Sequence, residues 1–165
     1  MIRRFLNFLP TVLALIALIG CETIDNKRIP ASPVHIPFQT ISMWEIYGVP
    51  GALDSKRFII EEGQPQNFPY TSMMHTGFGG VLLCGDIHGN AVAYDLSCPV
   101  ERQRNIRVLV DLEKNNAYCP KCGSVYDVFS NYGVPLSGEA ARLGYGLRRY
   151  TVREGIQGEY RLISP

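Results

Sequence analysis

The stretch that decides the fold is VLLCGDIHGNAVAYDL, residues 81–96. It begins with a short apolar run at residues 81–84 and ends with a second run at residues 91–96. Residues 85–90, between the two runs, supply Gly, Asp and Asn, which favour tight turns. The stretch therefore predicts an antiparallel β-hairpin.

Short strands are expected on both sides of this hairpin. From about residue 43 onward, apolar runs separated by Gly, Pro and Asn indicate strands. The one helical pattern, at residues 137–143, is very short. We predict an all-β fold, a small antiparallel sandwich or barrel. The other strands are expected within residues 58–60, 107–112, 125–129, 144–152 and 160–163.

The first twenty residues have the pattern of an export signal. Arg3 and Arg4 precede an apolar run at residues 12–19, which is too short to span a bilayer and is typical of a signal peptide. The run continues into Leu18-Ile19-Gly20-Cys21, which resembles the lipobox of bacterial lipoproteins. That resemblance implies cleavage before Cys21 and attachment of a diacylglycerol to its thiol. The alternative is an ordinary secretory signal in which Cys21 has no role.

These features divide the chain into three parts. Residues 1–20 are the expected signal peptide. Residues 21–42 are expected to be the lipidated cysteine and a flexible, extended tether, because three prolines occur there with little apolar periodicity. Residues 43–165 form the β domain. The expected location is the cell envelope, anchored by lipid to a bacterial membrane, and to the outer membrane in particular.

Charge and motifs exclude several functions. The chain has 16 Lys and Arg against 15 Asp and Glu, with no basic patch, so we expect no nucleic-acid partner. It has no Ser-His-Asp order, phosphate loop or metalloprotease helix motif. We predict no catalytic residues; if the protein is redox-active, it carries electrons and is not a self-contained enzyme. The sequence does not identify a protein partner.

Two cysteine loops carry the chemistry. The first is Cys98-Pro99-Val100-Glu101, and the second is CPKCGS at residues 119–124. Grouped thiolates, each followed by Pro, are typical of metal sites at the tip of a small β domain. We therefore expect the sulfurs of Cys98, Cys119 and Cys122 to meet at one end of the fold.

The order of these features resembles a Rieske domain, the iron–sulfur protein fold that holds a [2Fe–2S] cluster on two loops. A hairpin leads into Cys98-Pro99, a strand-bearing insertion follows, and Cys119-Pro120-x-Cys122-Gly123-Ser124 matches the second loop. The closing segment at residues 133–150 also matches, so the resemblance covers residues 81–150. The Cys-Pro-x-Glu first loop is similar to that of envelope lipoproteins of the Bacteroidetes type, which keep the Rieske fold with altered ligands.

The chain departs from the Rieske pattern at the ligands. A Rieske loop reads Cys-x-His and its partner Cys-x-x-His, with two thiolates on one iron and two imidazoles on the other. Here Val100 occupies the first histidine position and Cys122 the second. Three alternatives remain for the sulfurs: a variant [2Fe–2S] cluster with a substitute ligand such as Glu101, a zinc ion with one further ligand, or a disulfide without metal.

Other candidate ligands are weaker. Cys84 lies on the hairpin about 17 Å from Cys98, at about 3.3 Å per strand residue, so we predict a buried apolar role for it. His88 is expected in a surface turn. His75 precedes a glycine-rich bend and is an auxiliary candidate only.

Three functions follow from the sequence. The favoured one is an envelope lipoprotein with a degenerate Rieske-like domain, a structural or interaction module that lacks the standard ligand set and binds no metal. The first alternative is an electron-transfer domain that holds a variant cluster or zinc through Cys98, Cys119 and Cys122. The second is a thiol redox protein that uses Cys119 and Cys122.

Overall fold

The structure is a computed structural model and describes residues 23–155 and 161–165. Within these residues the protein is all-β, as the sequence predicts, and neighbouring strands are antiparallel. The strands are β1 (Val34–Phe38), β2 (Ser55–Phe58), β3 (His75–Thr76), β4 (Val81–Gly85), β5 (Ala91–Asp95), β6 (Leu109–Asp111), β7 (Asn116–Tyr118), β8 (Val125–Asp127), β9 (Val134–Ser137), β10 (Arg149–Glu154) and β11 (Arg161–Ser164). The helices are α1 (Ile41–Tyr47) and α2 (Glu139–Leu143).

The predicted hairpin is formed by β4 and β5 and contributes side chains to both hydrophobic cores. Its strands pair with Leu83 opposite Ala93. Leu82 and Cys84 contribute to one hydrophobic core, whereas Val81 and Leu83 contribute to another. These four side chains are fully buried, because β4 is covered on both faces. Burial on both faces accounts for an uninterrupted apolar run in place of an alternating pattern.

Seven strands form the larger sheet, in the order β2-β4-β5-β10-β11-β1-β3, and this sheet is nearly closed into a barrel. Aromatic rings fill one of the two cores, which we call the barrel core. The ring of Phe38 packs edge to face against those of Trp44, Phe58 and Phe68, with centroid distances of 5.0, 5.7 and 5.8 Å. Such contacts add to the free energy gained by burying the rings.

A second sheet, in the order β6-β7-β8-β9, packs against the hairpin and encloses the other core, the inter-sheet core. The two sheets are joined by the chain that leaves β5. The Val108 N–H donates to the Leu96 carbonyl at 2.8 Å, and the Cys98 N–H donates to the Ile106 carbonyl at 2.9 Å. Cys98 therefore lies where the two sheets meet.

A buried carboxylate fixes the chain just before Cys98. Asp95 is fully buried and accepts hydrogen bonds from the N–H groups of Phe78, Gly79 and Ser97 and from the Tyr150 hydroxyl, the last at 2.7 Å. Burial, together with the Asp95 carboxylate, raises the pKa of Tyr150. Because four donors surround one carboxylate, the residues that enter the first cysteine loop are held rigidly.

The tether expected at residues 21–42 is not extended and free along its whole length. Residues 34–38 form β1, which pairs with β11 and β3, and Ile36 and Phe38 are fully buried. Pro37 is tolerated because β3 pairs only with Val34 and His35, so the strand needs no second ladder at the proline. The lipidation candidate Cys21 and the signal peptide at residues 1–20 lie outside the described residues.

Helix α1 also departs from the expected run of strands. Thr40 begins it, since the Thr40 Oγ1 accepts a hydrogen bond from the Met43 N–H at 3.2 Å. Trp44 is the buried residue of this seven-residue helix and packs into the barrel core. The short helical pattern at residues 137–143 corresponds to α2.

Across the described ranges, 23–155 and 161–165, no helix combines the length and the apolar character that crossing a bilayer requires.

Candidate metal centre

Two loops meet at one end of the four-stranded sheet. Strands β7 and β8 form a hairpin in which Ala117 pairs with Tyr126, and the second cysteine loop, residues 119–124, closes it. Strand β6 begins at Leu109, opposite the last residue of β7, Tyr118. The first cysteine loop leads into β6 and therefore reaches the same end of the sheet. Antiparallel pairing, together with the hydrogen bond from the Cys98 N–H to the Ile106 carbonyl, thus brings the two loops together.

The sulfurs of Cys98, Cys119 and Cys122 converge, as the sequence predicts. Their Sγ atoms all lie within 4.8 Å of one another, and those of Cys98 and Cys122 are 3.6 Å apart. No other group of this kind occurs among the His, Cys, Asp and Glu side chains of the described residues. Cys98 and Cys119 are fully buried, whereas Cys122 is partly exposed. The three thiols are not bridged.

The first loop directs backbone donors at Cys98. The N–H groups of Val100 and Glu101 point to the Cys98 sulfur, and the Tyr126 hydroxyl lies 3.5 Å from it. Burial nevertheless raises the pKa of Cys98 to about 12, although the Tyr126 hydroxyl and the two N–H groups act in the opposite direction. Without a positive charge beside it, this thiol stays protonated at neutral pH.

The second loop treats Cys122 differently. The Ser124 Oγ lies 3.3 Å from the Cys122 Sγ, and the Ser124 N–H also points to that sulfur. Partial burial would raise the pKa of Cys122, but these hydrogen bonds and the contacts with the other two cysteines hold it below its usual value. Cys122 is therefore the thiol of the cluster that most readily becomes a thiolate.

Helix α2 and an ion pair hold the loops in place. The Ala140 N–H donates to the Ser124 Oγ at 3.0 Å, so the first turn of α2 positions the hydroxyl beside Cys122. Gly138 precedes the helix with a positive φ, and a Cβ there would lie 2.8 Å from the Ser124 Cα, so this close approach requires glycine. Lys121 and Glu101 join the two loops through an ion pair of 2.7 Å.

The other sequence-predicted site residues lie outside the cluster. Val100, which the sequence predicts to occupy a lost ligand position, packs its side chain against the inter-sheet core and offers its N–H to Cys98. The carboxylate of Glu101, the substitute ligand considered above, is engaged by Lys121. His75 is exposed on β3 opposite His35 and lines a separate surface groove.

Cys84 and His88 occupy the positions predicted for them, in the core and in a surface turn. Cys84 is fully buried on β4, and burial raises the pKa of its thiol. His88 is exposed in the hairpin turn, where its N–H donates to the Asp86 Oδ1 at 2.8 Å. Neither belongs to the cysteine cluster.

Sequence reasoning missed three residues that shape the site: Ser124, Tyr126 and Lys121. Ser124 is the last residue of the second loop, and Tyr126 lies two positions later in β8. A strand sends alternate side chains to the same face, so this spacing could have placed both beside the cysteines. Lys121 lies between two cysteines, and its opposite charge to Glu101 was the available signal.

Comparison with models of known protein families and with curated proteins gave no match.

Proposed function

We propose that the three cysteines form a binding site for a single soft metal ion, with zinc as the ion that fits best. The observation that carries this proposal is the convergence of three unbridged sulfurs within 4.8 Å. Thiolates bound to one tetrahedral zinc at about 2.3 Å lie about 3.8 Å apart. The 3.6 Å between the sulfurs of Cys98 and Cys122 agrees with that separation.

The spacing favours one ion over a two-iron cluster. In a Rieske-type cluster, the residue at the position of Cys122 binds a different iron from Cys98 and Cys119, so the distance between the irons also separates the ligands. Three sulfurs that are all mutually close suit one ion better. The loss of both imidazole ligands, at Val100 and Cys122, points the same way.

The surroundings fit a thiolate site. The N–H groups of Val100, Glu101 and Ser124 face cysteine sulfurs, and such outer hydrogen bonds orient and stabilise ligating thiolates. A bound divalent cation deprotonates the thiols that it binds, so the raised pKa of Cys98 is no obstacle. Three protein ligands leave the fourth coordination position of a tetrahedral ion for another ligand. Solvent reaches the site beside Cys122, which is partly exposed.

The setting of this site is also a proposal. A lipoprotein anchored through Cys21, with a Rieske-like domain over residues 81–150, accounts for the signal-like start and for the two cysteine loops. Two sheets, with both loops at one end of the smaller one, support the family resemblance. The lipid would hold the metal site in the cell envelope, at the outer membrane.

A second candidate function is thiol redox chemistry. The close approach of Cys98 and Cys122 and the partial exposure of Cys122 support it. The pair that the sequence suggests is Cys119 and Cys122, whereas the closest approach described is between Cys98 and Cys122. Either disulfide would release two protons and two electrons to an external oxidant, such as a partner disulfide or a quinone.

Metal analysis of the purified protein separates these functions. We expect about one equivalent of zinc per chain, no visible iron–sulfur absorption, and replacement of zinc by Co²⁺ with the colour of a tetrahedral thiolate site. Cys119→Ser should abolish zinc binding. Cys84→Ala, which removes a thiol outside the cluster, should keep it.

Each of the other outcomes has a distinct meaning. Two irons per chain with visible colour would support the variant cluster. Absence of metal together with a disulfide that appears under oxidant would support the thiol redox function. Absence of both the metal and the disulfide would favour the metal-free interaction module.

A further inference from the structure

A groove runs between the outer strands of the two sheets. Strand β2 is the last strand of the seven-stranded sheet, and β6 is the last strand of the four-stranded sheet. The groove has a volume of about 580 Å³, and both β2 and β6 line it. Among the described strands, each of the two pairs on one side only, with β4 and β7 respectively. Two unpaired sheet edges thus border the same cavity.

The wall contributed by β2 is cationic. Phe58 points into the barrel core, so its neighbour Arg57 points the opposite way, to the face of Leu82 and the inter-sheet core. The Arg57 Nε is shielded from solvent and has no hydrogen-bond partner among the described residues. Arg57 and Lys56 also form no ion pair in the described part of the chain. The groove therefore holds an unmatched positive charge and a shielded donor.

The opposite wall is apolar. It contains Leu109 and Val110 of β6, together with Leu112 and Tyr118. The side chain of Leu112 is 57 % exposed and that of Tyr118 is 36 % exposed. A ligand that places acidic groups on one wall and apolar groups on the other would match both surfaces.

The groove continues toward the cysteine site. A second cavity, of about 380 Å³, shares Arg57 and Leu109 with the first and ends at Pro120 and Lys121. Those two residues lie between Cys119 and Cys122 in the second cysteine loop. A molecule in the groove would therefore reach the loop that carries two of the three sulfurs.

We propose that this groove binds an extended, acidic segment of a partner protein, which adds a strand between β2 and β6. The open edges offer backbone hydrogen bonds, as in other complexes that extend a sheet. The four residues of β2 span about 13 Å, so a segment of similar length fits. A basic segment would be repelled by Lys56 and Arg57, and an apolar one would leave the Arg57 Nε without a partner. The proposal holds whether or not the cysteines bind a metal.

The test uses the full chain in detergent and a fluorescein-labelled eight-residue peptide of alternating Glu and Val with blocked ends. A second peptide carries Lys in place of Glu. Fluorescence anisotropy should show saturable binding of the Glu peptide alone. Combined substitution of Lys56→Gln and Arg57→Gln should weaken binding about tenfold or more. Combined substitution of Lys27→Gln and Arg153→Gln removes the same charge from exposed positions elsewhere and should leave affinity unchanged.

Amide hydrogen exchange distinguishes strand addition from simple charge attraction, because only added backbone hydrogen bonds would protect the edge strands. The bound Glu peptide should slow exchange within Ser55–Phe58 and Leu109–Asp111. Equal binding of the Lys peptide, protection elsewhere, or no binding at about 1 mM peptide would overturn the proposal. Concentration-dependent dimerisation that protects the same strands would also overturn it, since a second copy would then be the occupant.

Discussion

Cys84 and Cys122 present the same thiol in two settings that face one core. Cys84 lies within a strand that is buried on both faces, and burial raises the pKa of its thiol. Cys122 lies in a hairpin loop, where the backbone has free N–H groups and Ser124 supplies a hydroxyl, and its pKa is lowered. In a strand the N–H groups are consumed by the ladder, so no donor is left for a sulfur. Position within the backbone thus decides which cysteine can bind or react.

Two aspartates, Asp95 and Asp86, also occupy a buried and an exposed position of one hairpin. Here the buried group, unlike the buried thiol of Cys84, is well supplied with hydrogen-bond donors. Asp95, at the end of a buried strand, accepts four hydrogen bonds, including one from Tyr150. Asp86, in the exposed turn of the same hairpin, accepts hydrogen bonds from the N–H groups of His88 and Asn90 and from the Asn90 side chain. A glycine-rich bend supplies the donors around Asp95, so burial there produces a satisfied carboxylate. Burial alone does not leave a polar group without partners. Whether the surrounding chain offers hydrogen-bond donors decides whether the group is satisfied.

The largest expected effect is on thiol reactivity. In the metal-free protein, Cys122 should react with iodoacetamide at least about a hundredfold faster than Cys84, because Cys122 is partly exposed and readily ionised. Mass spectrometry of proteolytic peptides over time gives both rates from one sample. Added zinc should protect Cys122 and leave Cys84 unaffected. Comparable rates would contradict the claim that backbone position makes Cys122 far more reactive than Cys84.

Loss of the buried carboxylate should have the next largest effect. Asp95→Ala leaves several buried donors without an acceptor and should lower the free energy of unfolding by about 3–5 kcal/mol. Asp86→Ala is the matched control, since water replaces the carboxylate in an exposed turn, and it should cost about 1 kcal/mol at most. Urea denaturation measures both, and equal losses would show that the Asp95 network is not special.

The buried thiol of Cys84 should make the free energy of unfolding depend on alkaline pH. Its pKa is raised in the folded state, so above the ordinary value of 9.0 the unfolded chain releases a proton that the folded chain retains. The free energy of unfolding should therefore be unaffected by this group below pH 9 and fall as pH rises further, by about 1 kcal/mol between pH 9 and 10. The metal-free protein is the sample to use, because unfolding of a zinc-loaded chain would free thiolates that take up protons and oppose this effect. In the metal-free protein the raised pKa of Cys98 adds a contribution of the same sign.

Cys84→Ala provides the control for that pH dependence. The variant should be less stable below pH 9, because a buried sulfur is lost, and its stability should change less between pH 9 and 10. An unchanged slope would mean that other buried groups control the alkaline loss, with Cys98, Tyr70 and Tyr94 as the candidates, since burial raises the pKa of each.

The smallest expected effect sharpens the contrast within the cluster. Ser124→Ala removes a hydrogen bond to Cys122 and should slow its alkylation at pH 7 about threefold in the metal-free protein. Lys121→Gln should have a smaller effect, because Glu101 already pairs with the lysine. The pH dependence of the alkylation rate reads out both variants, and a larger effect of Lys121→Gln would assign the lowered pKa to charge.

The sequence predicted the parts of the molecule that local pattern controls. The hairpin at residues 81–96, the buried role of Cys84 and the meeting of three cysteines all follow from turn residues and spacing, and the structure agrees. Strand β1 was missed because Pro37 and the two prolines before the strand are typical of a linker, and its burial depends on β11, more than a hundred residues away. The contacts of Asp95 with Tyr150 and of Ser124 with α2 were missed for the same reason.

Zinc X-ray absorption on the purified protein tests the central claim most directly. The proposed site predicts three sulfur ligands at about 2.3 Å and one lighter ligand on a single zinc, with an unchanged spectrum in Cys84→Ala. A zinc ion with fewer than three sulfur ligands, or a protein that binds no zinc, would contradict the account.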